Sequence, residues 1–541
     1  GYTCEWGKWG HEQVQAPDRL LYPRVRGDDG GLYEVTWEQA IDEIAESLAH
    51  HQGEAFAALS AAQSTNEEAF LLQQFSRAVM QSNSVDRLLT PQQSAVERAT
   101  RAALGIDVES TNNLQELFTA AKNIIVVGPS IFAYAPIPSY WINHARHYRE
   151  ARITVISTEH YLLCDRAALW IRPNEGTTDQ VVNAIASEVV RLGLHAVDDR
   201  DATRLVNSNS AGDLADVEAR TGVPAEQITR AALLFVVGKE SLPDQRPEGG
   251  FPPGAIYNTV AHQAEDKPYG DADRVTLACS NLSLLTGNIG REGGGVTSFR
   301  GPANYQGSTD MGLSPSLLPG GAAVTDASAR ARFEDAWLDR WAEQASTSNG
   351  FLPVRSLSDS PGVALEDLPA AIESGRIRAM WIDGGPGTRD EFPDPRLFEA
   401  LRKLEFLVVT EPYDSPLAAI AHVALPAAMN LEKDGTFTNF DRTVQRVRAA
   451  VPVPGEARNA LDIIGAVANR MGYALRHSHA SQVMAEISRL VPGYAGVSYA
   501  RLERGGIVTP VETFRGEGTK ILGTASGPFE ITPKFVALVD R

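Results

Sequence analysis

The chain has 541 residues, more than one hydrophobic core usually serves, so two or more domains are expected. With 43% hydrophobic and 22% charged residues it reads as soluble and globular, and a formal net charge of −19 argues against nucleic acid and anionic membrane as partners. No apolar run reaches transmembrane length and no signal peptide is visible, so direct membrane insertion is not expected. The opening GYTCEWGKWG lacks Met and reads as the continuation of a longer chain. Cys4, Cys164 and Cys279 show no pairing pattern, which points to a reducing compartment.

Residues 1–35 read as the end of a small domain followed by a linker. Trp37, Ala40, Ile41, Ile44, Ala45 and Leu48 recur at helical spacing, which predicts a helix over 37–50 with Thr36 as its N-cap. AFAALS (55–60) predicts a short buried strand, and 66–81 the next helix. NIIVVG (123–128) is a β-branched run ending in Gly, the pattern of a parallel strand feeding a ligand loop. A helix around 138–150, the strand RITVIS (152–157) and an amphipathic helix over 178–193 follow. This β–α–β–α order implies doubly wound parallel sheet.

The pattern returns in RAMWIDG (378–384), FLVVTEP (406–412) and HVALPAA (422–428). Between the two blocks, 313–360 lacks periodicity and is expected to form loops and short helix. Short strands and a loop are expected over 511–535. No repeat of fixed period is present. The most informative stretch is 279–312, CSNLSLLTGNIGREGGGVTSFRGPANYQGSTDMG. Its glycines let backbone N–H groups approach a ligand, and Arg300 with neighbouring amides suits phosphates and flat heterocycles.

TGNIGREGGGV…RGPANYQGSTDMG resembles the signature of the molybdopterin oxidoreductases, in the branch of formate dehydrogenase alpha subunits and the large G subunit of respiratory complex I. Residues 17–48, 64–86 and 424–445 resemble further family segments in the same order. The resemblance implies an α/β fold of two interleaved, doubly wound Rossmann-like units. The first is expected from 36–110 plus 313–490, and the second is inserted at 111–312. Residues 1–35 are expected to be a remnant of the iron–sulfur domain, and 491–541 a C-terminal tail. The family's C-terminal β-barrel domain is not expected.

The resemblance also supplies expectations for the site. Four cysteines hold a [4Fe–4S] cluster in the family's enzymes, and Cys4 matches the last of them. The other three would lie upstream, because one thiolate cannot hold a cluster. A bridging Lys falls on Trp6, with Lys8 two residues on. The metal-ligating Cys or selenocysteine and its neighbouring His fall on Gln92 and Gln93. Molybdenum or tungsten needs a soft anionic donor in this branch, and Gln cannot titrate. No catalytic residue, no Mo or W, and no molybdopterin guanine dinucleotide are therefore expected.

The nucleotide loops are altered too, to Gly128-Pro129-Ser130, Ser157-Thr158-Glu159 and Gly384-Gly385-Pro386-Gly387. Against this stand Arg300, Asn304, Gln306, Asp310, Glu432, Lys433, Thr436, Thr438, Asn439 and Arg442. These either hold a pterin dinucleotide or satisfy one another in a crevice between two α/β units. His144 and His147 read as a solvated helix face.

The sequence thus reads as a degenerate, non-catalytic body serving as scaffold for electron transfer. The form expected is the G-type iron–sulfur subunit of a complex I-like NADH:quinone oxidoreductase. Its partners would be the NADH-oxidising and hydrophilic-arm subunits, on the cytoplasmic side and peripheral to the inner membrane. The alternative is a catalytic Mo/W bis-molybdopterin guanine dinucleotide formate dehydrogenase alpha subunit.

Overall fold

The computed structural model describes residues 5–61, 64–105, 107–208, 212–245, 247, 250–262, 272–301, 303–341, 353–385, 388–389 and 392–509. In chain order the strands are β1 (Arg24–Arg26), β2 (Leu32–Glu34), β3 (Phe56–Ala61), β4 (Val85–Leu88), β5 (Asn123–Val127), β6 (Arg152–Ile156), β7 (Leu169–Ile171), β8 (Gly254–Asn258) and β9 (Gly295–Ser298). There follow β10 (Ala379–Asp383), β11 (Phe406–Glu411), β12 (Val423–Pro426), β13 (Gly435–Thr438), β14 (Thr443–Val447) and β15 (Ile507–Val508).

They form a seven-stranded sheet in the order β2-β1-β12-β11-β10-β3-β4 and a five-stranded sheet in the order β7-β6-β5-β8-β9. The smaller sheet is parallel throughout, as is the β12-β11-β10-β3-β4 part of the larger one. The N-terminal segment read as linker adds β1 and β2 as an antiparallel edge on β12. The larger sheet draws its strands from both ends of the chain, while 123–298 builds the smaller one between them.

Helices cover both faces of each sheet, which is why the central strands are buried from end to end and read as continuous apolar runs. One core lies where the Trp37–Ala49, Asn66–Gln74, Ala460–Arg470 and Ala480–Leu490 helices pack on the larger sheet. A second, opposite core holds Leu59, Ile382, Val409 and Leu397. The smaller sheet is likewise sandwiched between two apolar clusters.

Helix starts are set locally. Thr36, Thr65 and Thr90 each accept from the backbone N–H three residues on, and Gln39, Glu68 and Gln93 reach back to the cap N–H. Each is a reciprocal capping box.

One expectation needs correction. The helix over 66–81 is α-helical only to Gln74 and then widens into a π-turn, Phe75–Val79. The wide turn carries the buried Arg77, which donates to the carbonyls of Gly312, Ser314 and Leu317 and to Asn83. The described part of 313–360 is loops and short helix as expected, but it is well buried. Leu313, Leu318, Val324, Phe333, Trp337 and Trp341 enter the main core, the middle of them on the Ala327–Trp337 helix. Their irregular spacing hides this from a periodicity search, because docking of the whole segment buries them. The strands expected over 511–535 lie outside the described residues.

Candidate functional site

The loops after β10, β11 and β12 converge with Ser64, beyond the end of β3, on a small, partly open hollow. This is the crevice where open α/β sheets take ligands. Asp383 ends β10 there. Its carboxylate accepts from Ser64 Oγ (2.5 Å) and Ser60 Oγ (3.2 Å). Burial, reinforced by the Glu68 carboxylate, raises its pKa. Lys433 also faces the cavity, but its Nζ lies 2.8 and 2.7 Å from the two oxygens of Glu68. Behind Gly384, burial pushes Glu411 up to about 7, and it accepts from the hydroxyls of Thr388 and Ser415. With the lysine matched by Glu68, Asp383 is the one carboxylate on a wall otherwise made largely of Gly, Ala, Pro and Met.

The signature segment runs through a polar seam between the two sheets. Arg300 is 1% exposed and sits just beyond β9. Its Nη1 lies 2.5 Å from Asp107 Oδ1, and its Nη2 donates to the Val108 carbonyl at 2.5 Å. Asp107 also faces Arg101 (2.8 Å) and Arg87 (3.8 Å). Burial would raise its pKa, but Arg300, Arg87 and Arg101 together hold it well below the usual carboxylate range. Arg87 pairs in addition with Glu97 at 2.7 Å, and Tyr305 Oη donates to the same carboxylate at 2.5 Å. Arg87 and Arg300 both lie over the Tyr305 ring, with centroid distances of 5.3 and 5.4 Å.

The other expected residues also have protein partners. Asn304 donates to the Ser64 carbonyl (2.7 Å) and accepts from the Thr438 N–H (2.7 Å). Gln306 accepts from the Glu109 N–H and donates to Asp310, both at 2.8 Å, and Tyr494 Oη donates to Asp310 at 2.8 Å. Burial pushes Asp310 up to about 6. Thr436 bonds Glu67 through N–H (2.9 Å) and Oγ1 (3.1 Å), and burial pushes Glu67 up to about 7. Glu432 takes both arms of Arg19, at 2.6 and 2.8 Å. Asn439 and Arg442 form the turn between β13 and β14. There Arg442 has a left-handed φ of 65°, and its N–H donates to the Asn439 carbonyl.

Gln92 and Gln93 are the second and third residues of the Pro91–Leu104 helix. Gln93 Oε1 accepts from the Thr90 N–H at 2.9 Å, so its carbonyl is occupied by helix capping. Its amide nitrogen lies against Gly301, where an added Cβ would come within 2.6 Å of it. The structure therefore brings Gln93 against the signature segment at Gly301. Glycines of the signature abut protein atoms: a Cβ on Gly295, Gly307 or Gly435 would fall inside 3.0 Å of Thr111, Asn66 or Thr65. They serve close packing of chain against chain, not an open cradle.

Where the resemblance places a thiolate or selenolate, then, the chain offers two carboxamides and no soft anionic donor. Among the described residues no three of His, Cys, Asp or Glu group as metal ligands. Cys4 lies outside the described residues, as do Pro386 and Gly387. Lys8 is exposed, with Nζ 4.8 Å from the centre of the Trp9 ring. The loop after β5 is closed by Thr259, whose Oγ1 donates to the Val127 and Pro129 carbonyls.

Sequence reading missed Arg87, Glu97, Asp107, Glu109 and Asp383. Asp383 could have been found, as an acid ending a strand beside a Gly-Gly loop. Asp107 could not, because nothing in GIDVE marks it as the counter-ion of three arginines.

Two interleaved, largely parallel sheets with a polar seam and a crevice at the strand ends define a doubly wound α/β body. A family model described as molybdopterin oxidoreductase matches residues 19–470, and the chain belongs to that family. It is 30% identical over 542 residues to "Probable oxidoreductase YjgC" of Bacillus subtilis (strain 168), covering 97% of this chain and 51% of that protein. It is 29% identical to "F420-dependent formate dehydrogenase subunit alpha" of Methanocaldococcus jannaschii, covering 96% of this chain and 72% of that protein. The chain thus spans about half the length of the Bacillus relative. Among solved structures, acetylene hydratase from Pelobacter acetylenicus superposes with a TM-score of 0.64 at 14% identity, covering 93% of this chain and 68% of that one, a likeness of fold. Among the described residues no helix is long and apolar enough to cross a membrane.

Proposed function

We propose that this chain is a non-catalytic body of the molybdopterin oxidoreductase type, acting as scaffold in a multi-subunit redox complex. One observation carries the reading. The residues in the metal-ligand and base positions, Gln92 and Gln93, are amides, and the Gln93 carbonyl is spent on a helix cap. Internal pairing of Arg300 with Asp107 and of Lys433 with Glu68 adds support, since neither cation is left to meet an anionic cofactor uncompensated. No molybdenum or tungsten is expected in this chain. Cys4, with cysteines upstream, would hold a [4Fe–4S] cluster, and the α/β body would fix it at tunnelling distance from its neighbours. A G-type subunit of a complex I-like NADH:quinone oxidoreductase is one such assembly. The same reading keeps 36–110 with 313–490 as one unit, 111–312 as the inserted second, and the whole peripheral to the membrane through its partners.

A second reading, a catalytic formate dehydrogenase alpha subunit, is favoured by one specific finding. Relatives bearing that name align with 96% of this chain. Metal and pterin analysis of the purified full-length protein separates the two. The scaffold reading expects iron without Mo, W or released pterin, and no formate-dependent dye reduction. About one Mo or W per chain would overturn it.

A further inference from the structure

Residues 10–19 cross the strand ends of the larger sheet and meet each of the three loops that wall the hollow. The loop after β11 is met along the backbone. Leu20 N–H donates to the Pro412 carbonyl (3.0 Å), Asp414 N–H donates to the Asp18 carbonyl (2.8 Å), and Arg19 Nε donates to the Pro412 carbonyl (3.1 Å). The loop after β12 is met through Glu432, whose carboxylate takes Arg19 Nη1 and Nη2 and also accepts from the Met429 N–H at 2.8 Å. The loop after β10 is met through Arg389, whose Nε and Nη2 each lie 2.6 Å from an oxygen of Asp18. Tyr413 joins these contacts. Its Oη is 3.3 Å from the Gln13 carbonyl and 3.4 Å from Met429 Sδ, and the Arg19 and Arg389 guanidiniums both lie over its ring. One short segment thus staples three loops together.

What holds this segment down is polar. Of residues 10–19 only Arg19 is buried, and the tight helical turn Gly10–Gln15 buries none of its residues. Leu20, fully buried in the core with Leu59 and Ile382, anchors the C-terminal end. Apolar burial is what makes opening costly, so a segment without it detaches at a lower free energy than the sheet beneath it. The buried Arg19–Glu432 pair does not prevent this. Lifting the segment returns both ions to water together and restores the hydration that burial removed, so the net hold of such a pair is small. The Asp18–Arg389 pair holds less still, with side chains 35% and 29% exposed.

We propose that residues 10–19 form a releasable strap over the strand-end crevice of the larger sheet. Held down, the strap fixes the loops after β10, β11 and β12 against one another and narrows the crevice to a small hollow. Lifted about Leu20, it frees the three loops in one step and opens the hollow, with Met429 on its wall, to solutes. The strap rests on these contacts alone, whether or not the chain carries a metal, so its failure would leave the scaffold reading standing.

Amide exchange and methionine oxidation of the full-length protein test this. The N–H groups of Leu20 and Asp414 bond across the strap contact, and that of Met429 bonds Glu432, the partner of Arg19. In the wild type these three amides should share one opening equilibrium, at least about 100-fold more favourable than that of the amides within β11. Met429 is 8% exposed and the other five methionines 1% or less. Dilute hydrogen peroxide, which gives one oxygen to the sulfur and leaves as water, should therefore oxidise Met429 first and in proportion to strap opening. Asp18→Asn should raise exchange at the three amides and oxidation at Met429 by the same factor, about two- to fivefold for a pair this exposed, and leave the β11 amides unchanged. The wild-type rates decide the matter even if the variant misfolds. Exchange at the β11 rate, three unrelated opening equilibria, no change in Asp18→Asn, or amides that quicken there without Met429 would each overturn the proposal.

Discussion

Asp107 is the keystone of the seam, and Asp107→Asn tests that assignment. The side chain is 4% exposed and meets Arg300 at 2.5 Å and Arg101 at 2.8 Å, with Arg87 at 3.8 Å. Arg300 and Arg87 are each only 1% exposed. Asn is nearly isosteric, so little volume is lost, and the effect is electrostatic. Removing one member of a buried ion pair leaves its partner desolvated and uncompensated, at about 3–5 kcal/mol. Glu97 still neutralises Arg87, and Arg101 is 35% exposed, so the loss falls mainly on Arg300, which keeps the Val108 carbonyl and a neutral Asn oxygen as acceptors, with Glu97 and Glu109 as more distant charges. The expected loss is thus about 3 kcal/mol, at the low end of that range. Urea unfolding of the full chain, followed by tryptophan fluorescence, measures it. A double-mutant cycle with Arg300→Gln isolates the pair, with a coupling of about 1–3 kcal/mol expected. A loss under about 1 kcal/mol with no coupling would refute the seam as an ion-paired network and reopen Arg300 as a free anion site.

Gln93→Ala removes the acceptor for the Thr90 N–H, and the capping box predicts a stability loss of about 1 kcal/mol with unchanged metal content. A drop in bound metal, measured on the same preparation by mass spectrometry, would instead make Gln93 a cofactor residue. Glu109 gives a pH test. Burial, opposed by Arg300, pushes its carboxyl up to about 7 from 4.5. A group raised in the folded state contributes stability that is complete below about pH 4.5 and lost as pH rises through about 7, on the order of 3 kcal/mol in all. Glu109→Gln keeps an acceptor for the Arg300 N–H and should flatten that fall. Thermal unfolding of wild type and variant at pH 5 and pH 8 would count against the assignment if both lost the same stability.

Much of the fold was legible in local chemistry. Thr36 and the apolar spacing from Trp37 to Leu48 fixed a helix that begins where expected, because a cap and a buried stripe need only neighbours in sequence. The runs at 123–128, 152–157, 378–384 and 406–412 are strands because a strand covered on both faces must be largely apolar. The amides at Gln92 and Gln93 were readable as well, since they are a matter of identity alone.

Partnership was not legible. Arg300 and Asp107 are 193 residues apart and Lys433 and Glu68 are 365 apart, and no spacing rule links them. Only closure of the two sheets brings each charge to its counter-ion, and burial then shifts the carboxylates around them. The same holds for 313–360, whose tryptophans joined the core without a periodic stripe. Residue identity and short-range periodicity determined the elements and the two amides at 92 and 93. Tertiary packing decided which charges neutralise one another, because Coulomb and desolvation energies depend on distance in space and not on distance along the chain.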